Sequence, residues 1–331
     1  MKSKIFKSLI IVAVLSATTS ASERITGAGA SFPAPCYYDW AYNYRKATKV
    51  RINYQAIGSG GGVKQITERI VDFGATDSPL KPQELKPKQL LQFPTLVGAI
   101  VVVYNLDGIA DEKLKLKNST VADIFAGKIT MWNDSAIAND NPELKLPAQK
   151  IIPIHRSDGS GTTEIFSQYL TQSSNHWKQN YGVGKTIRFS SGIGAKGNEG
   201  VTSMIKQMPN SIGYIENGYK EKNNLSAATL QTSNGKWIKA REDSFKKALK
   251  NITWSKERDF YDSLVMQPDA YPIMAATYIL LPRDKSKRVE QIVRFIDYSF
   301  NRGDEAARRL GYIPLPVDTK NLVRQYIDEN R

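Results

Sequence analysis

Three short segments of the chain carry the residue types that hold an oxyanion. Gly159-Ser160-Gly161-Thr162 places two hydroxyls and two glycines at the expected start of a helix. Unpaired N–H groups and a partial positive charge gather at such a start, and glycine lets the backbone approach an ion. Arg156 stands just upstream, with a guanidinium fork suited to a tetrahedral anion, and Asp158 is placed to hold that fork. An ordinary capped helix beside a surface arginine has the same composition, so this segment alone leaves both readings open. Two other loops repeat the donor type: Ser31 precedes Phe32 after Gly27-Ala28-Gly29, and Ser59 lies within Gly58-Ser-Gly-Gly-Gly62.

Neither glycine loop has the spacing of a dinucleotide or P-loop signature, and Ser160 is not in a nucleophile elbow. His155 and His176 have no partners at metal-ligand spacing, so neither a metal nor another cofactor is expected. Loops that hold oxyanions without such chemistry suggest capture, not turnover. Asp77 sharpens the point. A carboxylate that only accepts hydrogen bonds repels an anion unless the ligand brings its own proton. Phosphate near neutral pH carries one and sulfate does not, so Asp77 would leave like charges unpaired when sulfate enters.

The elements that must position these loops alternate between strand-like and helix-like patterns, which argues for α/β layers. Apolar positions at helical spacing mark 37–47, 161–171, 201–208, 244–250 and 289–300 as helices. Thr120 with Asp123 reads as a capping box, and 58–62 as a turn before helical Val63, Ile66 and Ile70. Strands are expected at 50–55, 71–75, 151–155, 212–215 and 277–281. The run 96–104 is the most apolar of the mature chain, as in a strand buried on both faces.

Residues 1–21 have the layout of a secretory signal peptide: Lys2, Lys4 and Lys7, then seven apolar residues from Leu9 to Leu15, then small residues ending at Ala21. The apolar run is far short of the roughly 20 residues a membrane span needs. Cleavage after Ala21 leaves 310 of the 331 residues, enough for two domains. The net charge of +14, less those three lysines, gives +11. The lysines are scattered, without an arginine run interleaved with aromatics, so a solvated basic surface is expected and nucleic acid is not. Cys36, the single cysteine, lies beyond a lipid-attachment position and reads as a small buried apolar residue.

At these residues the chain resembles the periplasmic phosphate-binding proteins of phosphate ABC transporters. The matching pieces, in the family's order, are Thr26 to Pro35, Tyr54 to Ile66, Val71 to Asp77, Phe125 to Trp132, Arg156 to Thr162, Gly194 to Gly200 and Ser211 to Tyr214. The resemblance implies a type II periplasmic-binding-protein fold, two α/β lobes joined by two hinge strands with the ligand in the cleft. Lobe I would comprise 22–97 and 278–331, and lobe II 98–277. The crossovers fall in 96–104 and 276–281. Carried over by position, Ser31, Phe32, Ser59, Asp77, Arg156, Ser160, Gly161 and Thr162 hold phosphate, and Asp158 orients Arg156. Ser31 stands where the family often has threonine, and Gly60 where a second serine is frequent. The resemblance further implies a periplasmic monomer that captures inorganic phosphate and hands it to inner-membrane permease subunits with their cytoplasmic ATPase. A phosphoryl-handling enzyme shares the pocket logic but would need an activated nucleophile or a metal cluster. A surface-adhesion role, suggested by the basic face and the aromatics of 37–44, is compatible with transport.

Overall fold

The computed structural model describes residues 24–250 and 252–331, so the signal-peptide reading of 1–21 lies outside the described residues. The chain begins with β1 (Arg24–Gly29), α1 (Ala34–Thr48), β2 (Arg51–Ala56), α2 (Ser59–Thr67), β3 (Phe73–Thr76), α3 (Pro82–Lys88) and the long β4 (Leu90–Asn105). It continues through α4 (Asn118–Phe125), α5 (Ser135–Ala138), β5 (Ile152–Arg156), α6 (Gly161–Ser173), α7 (Asn175–Asn180), β6 (Ile193–Ala195), α8 (Gly197–Gln207) and β7 (Ser211–Glu216). Next come α9 (Asn217–Asn223), β8 (Ser226–Ala227), β9 (Leu230–Gln231), β10 (Trp237–Ile238), α10 (Glu242–Leu249) and β11 (Met274–Pro282). The chain closes with α11 (Lys287–Arg302), α12 (Asp304–Arg309), β12 (Ile313–Pro314) and α13 (Val317–Asn330).

Two small parallel units share one sheet in the order β2-β1-β3-β11-β4-β7-β5-β6. In the first, β1 lies parallel between β2 and β3; in the second, β5 lies parallel between β6 and β7. The antiparallel β4 and β11 join them. Residues 90–99 of β4 pair with β11, and residues 100–105 pair with β7. Fifteen of the 16 residues of β4 are buried, as its apolar run implies for a strand covered on both faces. The strand starts six residues before the apolar run and passes through Pro94. That proline, which cannot donate to a ladder, sits where the β4–β11 register shifts.

Two expectations are corrected at helix starts. The glycines of 60–62 are wound into the first turn of α2 instead of forming a turn before it. Helix α4 begins at Asn118 with Lys117 as its uncapped N-cap, and Thr120 is buried inside the helix, so no Thr120–Asp123 capping box forms. Helix α1 buries Tyr37, Trp40, Ala41 and Tyr44 together with Cys36, which sits in the core as a small apolar group. Of the aromatics in 37–44 only Tyr38 and Tyr42 are exposed, which removes most of the surface offered for adhesion. Among the described residues, no helix is long and apolar enough to cross a membrane.

Candidate functional site

The loops that leave the carboxyl ends of β1, β2, β3 and β5 meet where the two parallel units face each other, the position at which open α/β sheets take ligands. All eight residues expected there are brought together, and all are buried. Contact between the units is close. Gly60 donates its N–H to the Gly159 carbonyl at 2.8 Å, and the Tyr219 hydroxyl donates to the Ser31 carbonyl at 2.7 Å. Gly58 has a φ of 90°, a conformation that suits glycine, and a Cβ there would fall 2.3 Å from an Asp158 oxygen. A Cβ on Gly161 would lie 2.4 Å from Ser59 Oγ and 3.0 Å from the Asp77 nitrogen. Only glycine lets the start of α6 approach so near.

Arg156, at the end of β5, has its side chain 1% exposed. Its Nε and Nη2 donate to the two oxygens of Asp158 at 2.7 and 2.5 Å, the bidentate pairing that fixes a guanidinium plane. Asp158 is itself held by the Gly197 N–H at 3.0 Å. Burial pushes the Asp158 carboxyl up, but the hydrogen bonds and charge of Arg156 outweigh it and hold it below its ordinary value. Arg156 Nη1 is buried and has no hydrogen-bond partner among the described residues. An unpaired buried cationic donor is costly, so this corner is built for an anionic acceptor.

The hydroxyls are oriented by their own partners. Ser31 Oγ accepts from the backbone N–H and from the side-chain amide of Asn198, at 3.0 and 2.9 Å. With both lone pairs occupied, its hydrogen is left to donate. Thr162 Oγ1 accepts from the same Asn198 amide at 3.2 Å. Ser160 is the N-cap of α6: its Oγ accepts from the Thr163 N–H at 3.0 Å, and its own N–H goes to the Lys185 carbonyl at 2.9 Å. Its hydroxyl hydrogen is thus the donor it has to offer, while Gly161 and Thr162 present first-turn N–H groups. Phe32 lies fully buried against Tyr312, whose hydroxyl donates to the Phe32 carbonyl at 2.7 Å.

Asp77 follows β3 and is fully buried, 1% exposed. Its Oδ1 accepts from the Thr277 hydroxyl at 2.9 Å, its N–H donates to Ser59 Oγ at 3.2 Å, and Ser59 Oγ lies 3.5 Å from Oδ2. Burial pushes this carboxyl from 3.8 up to about 7, against the lowering effect of the Thr277 hydroxyl and the Arg156 charge. The site therefore joins a cation, several neutral donors and one carboxylate that has no ion-pair partner of its own. It can seat an oxyanion that carries a proton.

Asn198 and Thr277 were not singled out from the sequence. Asn198 lies in the 194–200 segment that carries the resemblance, and Thr277 in a strand read as a hinge crossover. Neither residue type announces a role until the fold sets it beside Ser31, Thr162 or Asp77. Among the described residues, no group of three or more His, Cys, Asp or Glu side chains is placed to hold a metal ion.

Comparison with known proteins agrees with this geometry. Residues 16–302 match the model of the PBP superfamily domain. The chain is 44% identical over 307 residues to a phosphate-binding protein PstS of Haemophilus influenzae, covering 92% of each. It is 36% identical over 322 residues to a phosphate-binding protein PstS of Methanocaldococcus jannaschii, covering 89% of this chain and 83% of that one. Among solved structures, a phosphate-binding protein from Stenotrophomonas maltophilia superposes with a TM-score of 0.71 at 21% identity, over 91% of this chain and 93% of that one. At that identity the likeness shows the fold, two lobes with a curled mixed sheet.

Proposed function

The chain belongs to the PstS phosphate-binding proteins within the PBP superfamily, and from that premise we propose that it captures inorganic phosphate and delivers it to an ABC permease. The observation that carries the reading is the pairing, in one buried site, of the unpartnered Arg156 Nη1 with the buried Asp77 carboxylate. Nη1 and the hydroxyl and backbone donors serve the negative oxygens, and Asp77 accepts the proton that phosphate retains. Ser31, Phe32, Ser59, Asp77, Arg156, Ser160, Gly161 and Thr162 are the phosphate ligands in this reading, with Asp158 holding Arg156. Capture without turnover is its natural mode, because these groups bind and orient but supply no activated nucleophile.

Lobe I is assigned to 22–97 with 278–331 and lobe II to 98–277, with β4 and β11 as the crossing strands, whose pairing spans both units. The protein is exported by the signal peptide 1–21, cleaved after Ala21, and works as a periplasmic monomer. Its partners are inner-membrane permease subunits with their cytoplasmic ATPase. Calorimetric titration of purified residues 22–331 with inorganic phosphate tests the reading. One ion per chain with dissociation constants in or below the micromolar range supports it. No saturable binding at millimolar phosphate would sink it.

A further inference from the structure

We infer that Thr277 sets the aim and the charge state of the Asp77 carboxylate, and so the preference of the pocket for protonated over unprotonated oxyanions. This rests on the reading of Asp77 as acceptor of the ligand's proton. Thr277 is fully buried on β11, and its hydroxyl donates to Asp77 Oδ1 at 2.9 Å. No comparable bond ties Oδ2, which has only Ser59 Oγ at 3.5 Å. One carboxylate oxygen is thus committed and the other remains for the ligand.

The position of Thr277 is itself built. Along β11 the pairing with β4 runs from Thr277 opposite Leu96 to Tyr278 opposite Pro94, so Thr95 is the extra residue of a bulge. A bulge re-aims the side chains beside it. The Thr95 hydroxyl donates to the Thr277 carbonyl at 3.3 Å. Its single hydrogen being used there, the Tyr37 hydroxyl 2.6 Å away must donate to Thr95. A fully buried run from α1 through the bulge therefore holds the backbone of Thr277, while its side chain faces Asp77.

A hydroxyl that donates to a carboxylate favours the ionised form. The other groups that act on Asp77 do not duplicate this contact. Arg156 of β5 and Lys185 favour the carboxylate by charge, and the Ser59 hydroxyl does so by a hydrogen bond that at 3.5 Å is longer than that of Thr277. Glu216 of β7, Tyr37 of α1 and Tyr54 of β2 are buried acids that burial pushes up, and the charge of Asp77 raises each of them further. Without the Thr277 hydroxyl, Asp77 would hold its proton to higher pH, and a neutral carboxyl donates to sulfate as readily as to phosphate.

The test compares phosphate and sulfate affinities of the wild type, Thr277→Val and Thr277→Ser from about pH 5.5 to about pH 9, with thermal unfolding as a control for folding. In the wild type, sulfate binding should fade as pH rises through about 7. In Thr277→Val the fade should move up by roughly one pH unit, the size of one lost hydrogen bond to a charged group, and the phosphate-over-sulfate ratio above it should fall about tenfold. Thr277→Ser should restore both. Should Thr277→Val not fold, Thr277→Ala serves with the same readout. Superimposable sulfate curves for wild type and the hydroxyl-less variant, or Thr277→Ser behaving like Thr277→Val, would overturn the inference. Wild-type sulfate binding that does not respond to pH would overturn the role of Asp77 itself, a separate result.

Discussion

Two carboxylates face the same pocket from opposite units and are kept in opposite conditions. Asp158, beside β5, is tied to Arg156 by two hydrogen bonds and is held below its ordinary pKa although burial opposes it. Asp77, after β3, has no cation bonded to it and is pushed by burial up to about 7. The difference is one of duty. Asp158 spends its charge inside the protein, locking a guanidinium whose third nitrogen is buried and unpartnered among the described residues. Asp77 keeps acceptor capacity on Oδ2, which the proposed function assigns to the ligand, at the cost of an uncompensated buried group. In the proposed reading the β5 side supplies attraction for any tetrahedral anion, and the β3 side decides which anion is allowed.

The largest expected effect comes from breaking the β5 side. Arg156→Ala should weaken phosphate binding by roughly 10- to 100-fold, from loss of a charge-assisted hydrogen bond of about 1.5–3 kcal/mol. It should also lower stability by about 1–3 kcal/mol, since the partly buried Asp158 loses its charge partner and keeps only the Gly197 N–H. Arg156→Ala with Asp158→Asn should recover part of the stability and none of the affinity, a contrast that calorimetry and denaturant melts would read. Equal affinity in Arg156→Ala and wild type would remove the attraction assigned to this side.

Breaking the β3 side should change discrimination more than affinity. Asp77→Asn gives sulfate an amide donor in place of a repelling carboxylate. The phosphate-over-sulfate ratio at about pH 8.5, where the wild-type carboxyl is ionised, should fall by about tenfold or more, the value of relieving one buried unmatched charge at about 1–3 kcal/mol. The same variant sharpens a stability argument. Because the folded carboxyl titrates near 7 and its ordinary value is 3.8, the ligand-free native state holds a proton that the unfolded chain has released. This contribution is fully present below about 4 and lost as pH rises through about 7, so stability should fall across that window. Asp77→Asn should flatten that part of the profile; an unaltered slope would mean Asp77 is not the group titrating.

The smallest effect is expected where the two sides are joined. Asn198 donates to Ser31 after β1 and to Thr162 on α6. Asn198→Ala should cost about 0.5–1.5 kcal/mol in phosphate binding, because the two hydroxyls lose the donor that orients them. In a double-mutant cycle with Thr162→Val the losses should be less than additive. Strict additivity would mean Asn198 acts independently of the hydroxyls.

The halves of the pocket also differ in how plainly the sequence showed them. Arg156 to Thr162 shows a helix start, an arginine fork and glycine as local features. Alone it reads equally as a capped helix beside a surface arginine, and the other two loops were needed to favour an anion site. Asp77 was legible as a contradiction, a carboxylate among donors, which only a protonated ligand resolves. Asn198 and Thr277 were not legible, since their meaning is a contact with a residue 167 positions away in one case and 200 in the other. The fold divides in the same way. Periodicity located α1, α6, α8 and α11 to within a few residues, and the apolar run marked the core of β4. It missed the start of β4 through Pro94, which a bulge accommodates. It also missed α13, whose buried face includes Lys320 and Thr319. Lys320 can be buried because it donates to the Phe300 carbonyl and to Asp304, partners that periodicity cannot supply.

The central claim is that Asp77 makes the pocket selective for an oxyanion that carries a proton. Its most direct test is competition between phosphate and sulfate for the wild-type protein at about pH 8.5, where Asp77 is ionised on the value of about 7. The account predicts that phosphate binds tightly while sulfate, even in large excess, fails to displace it. Displacement of phosphate by sulfate at comparable concentrations would contradict it.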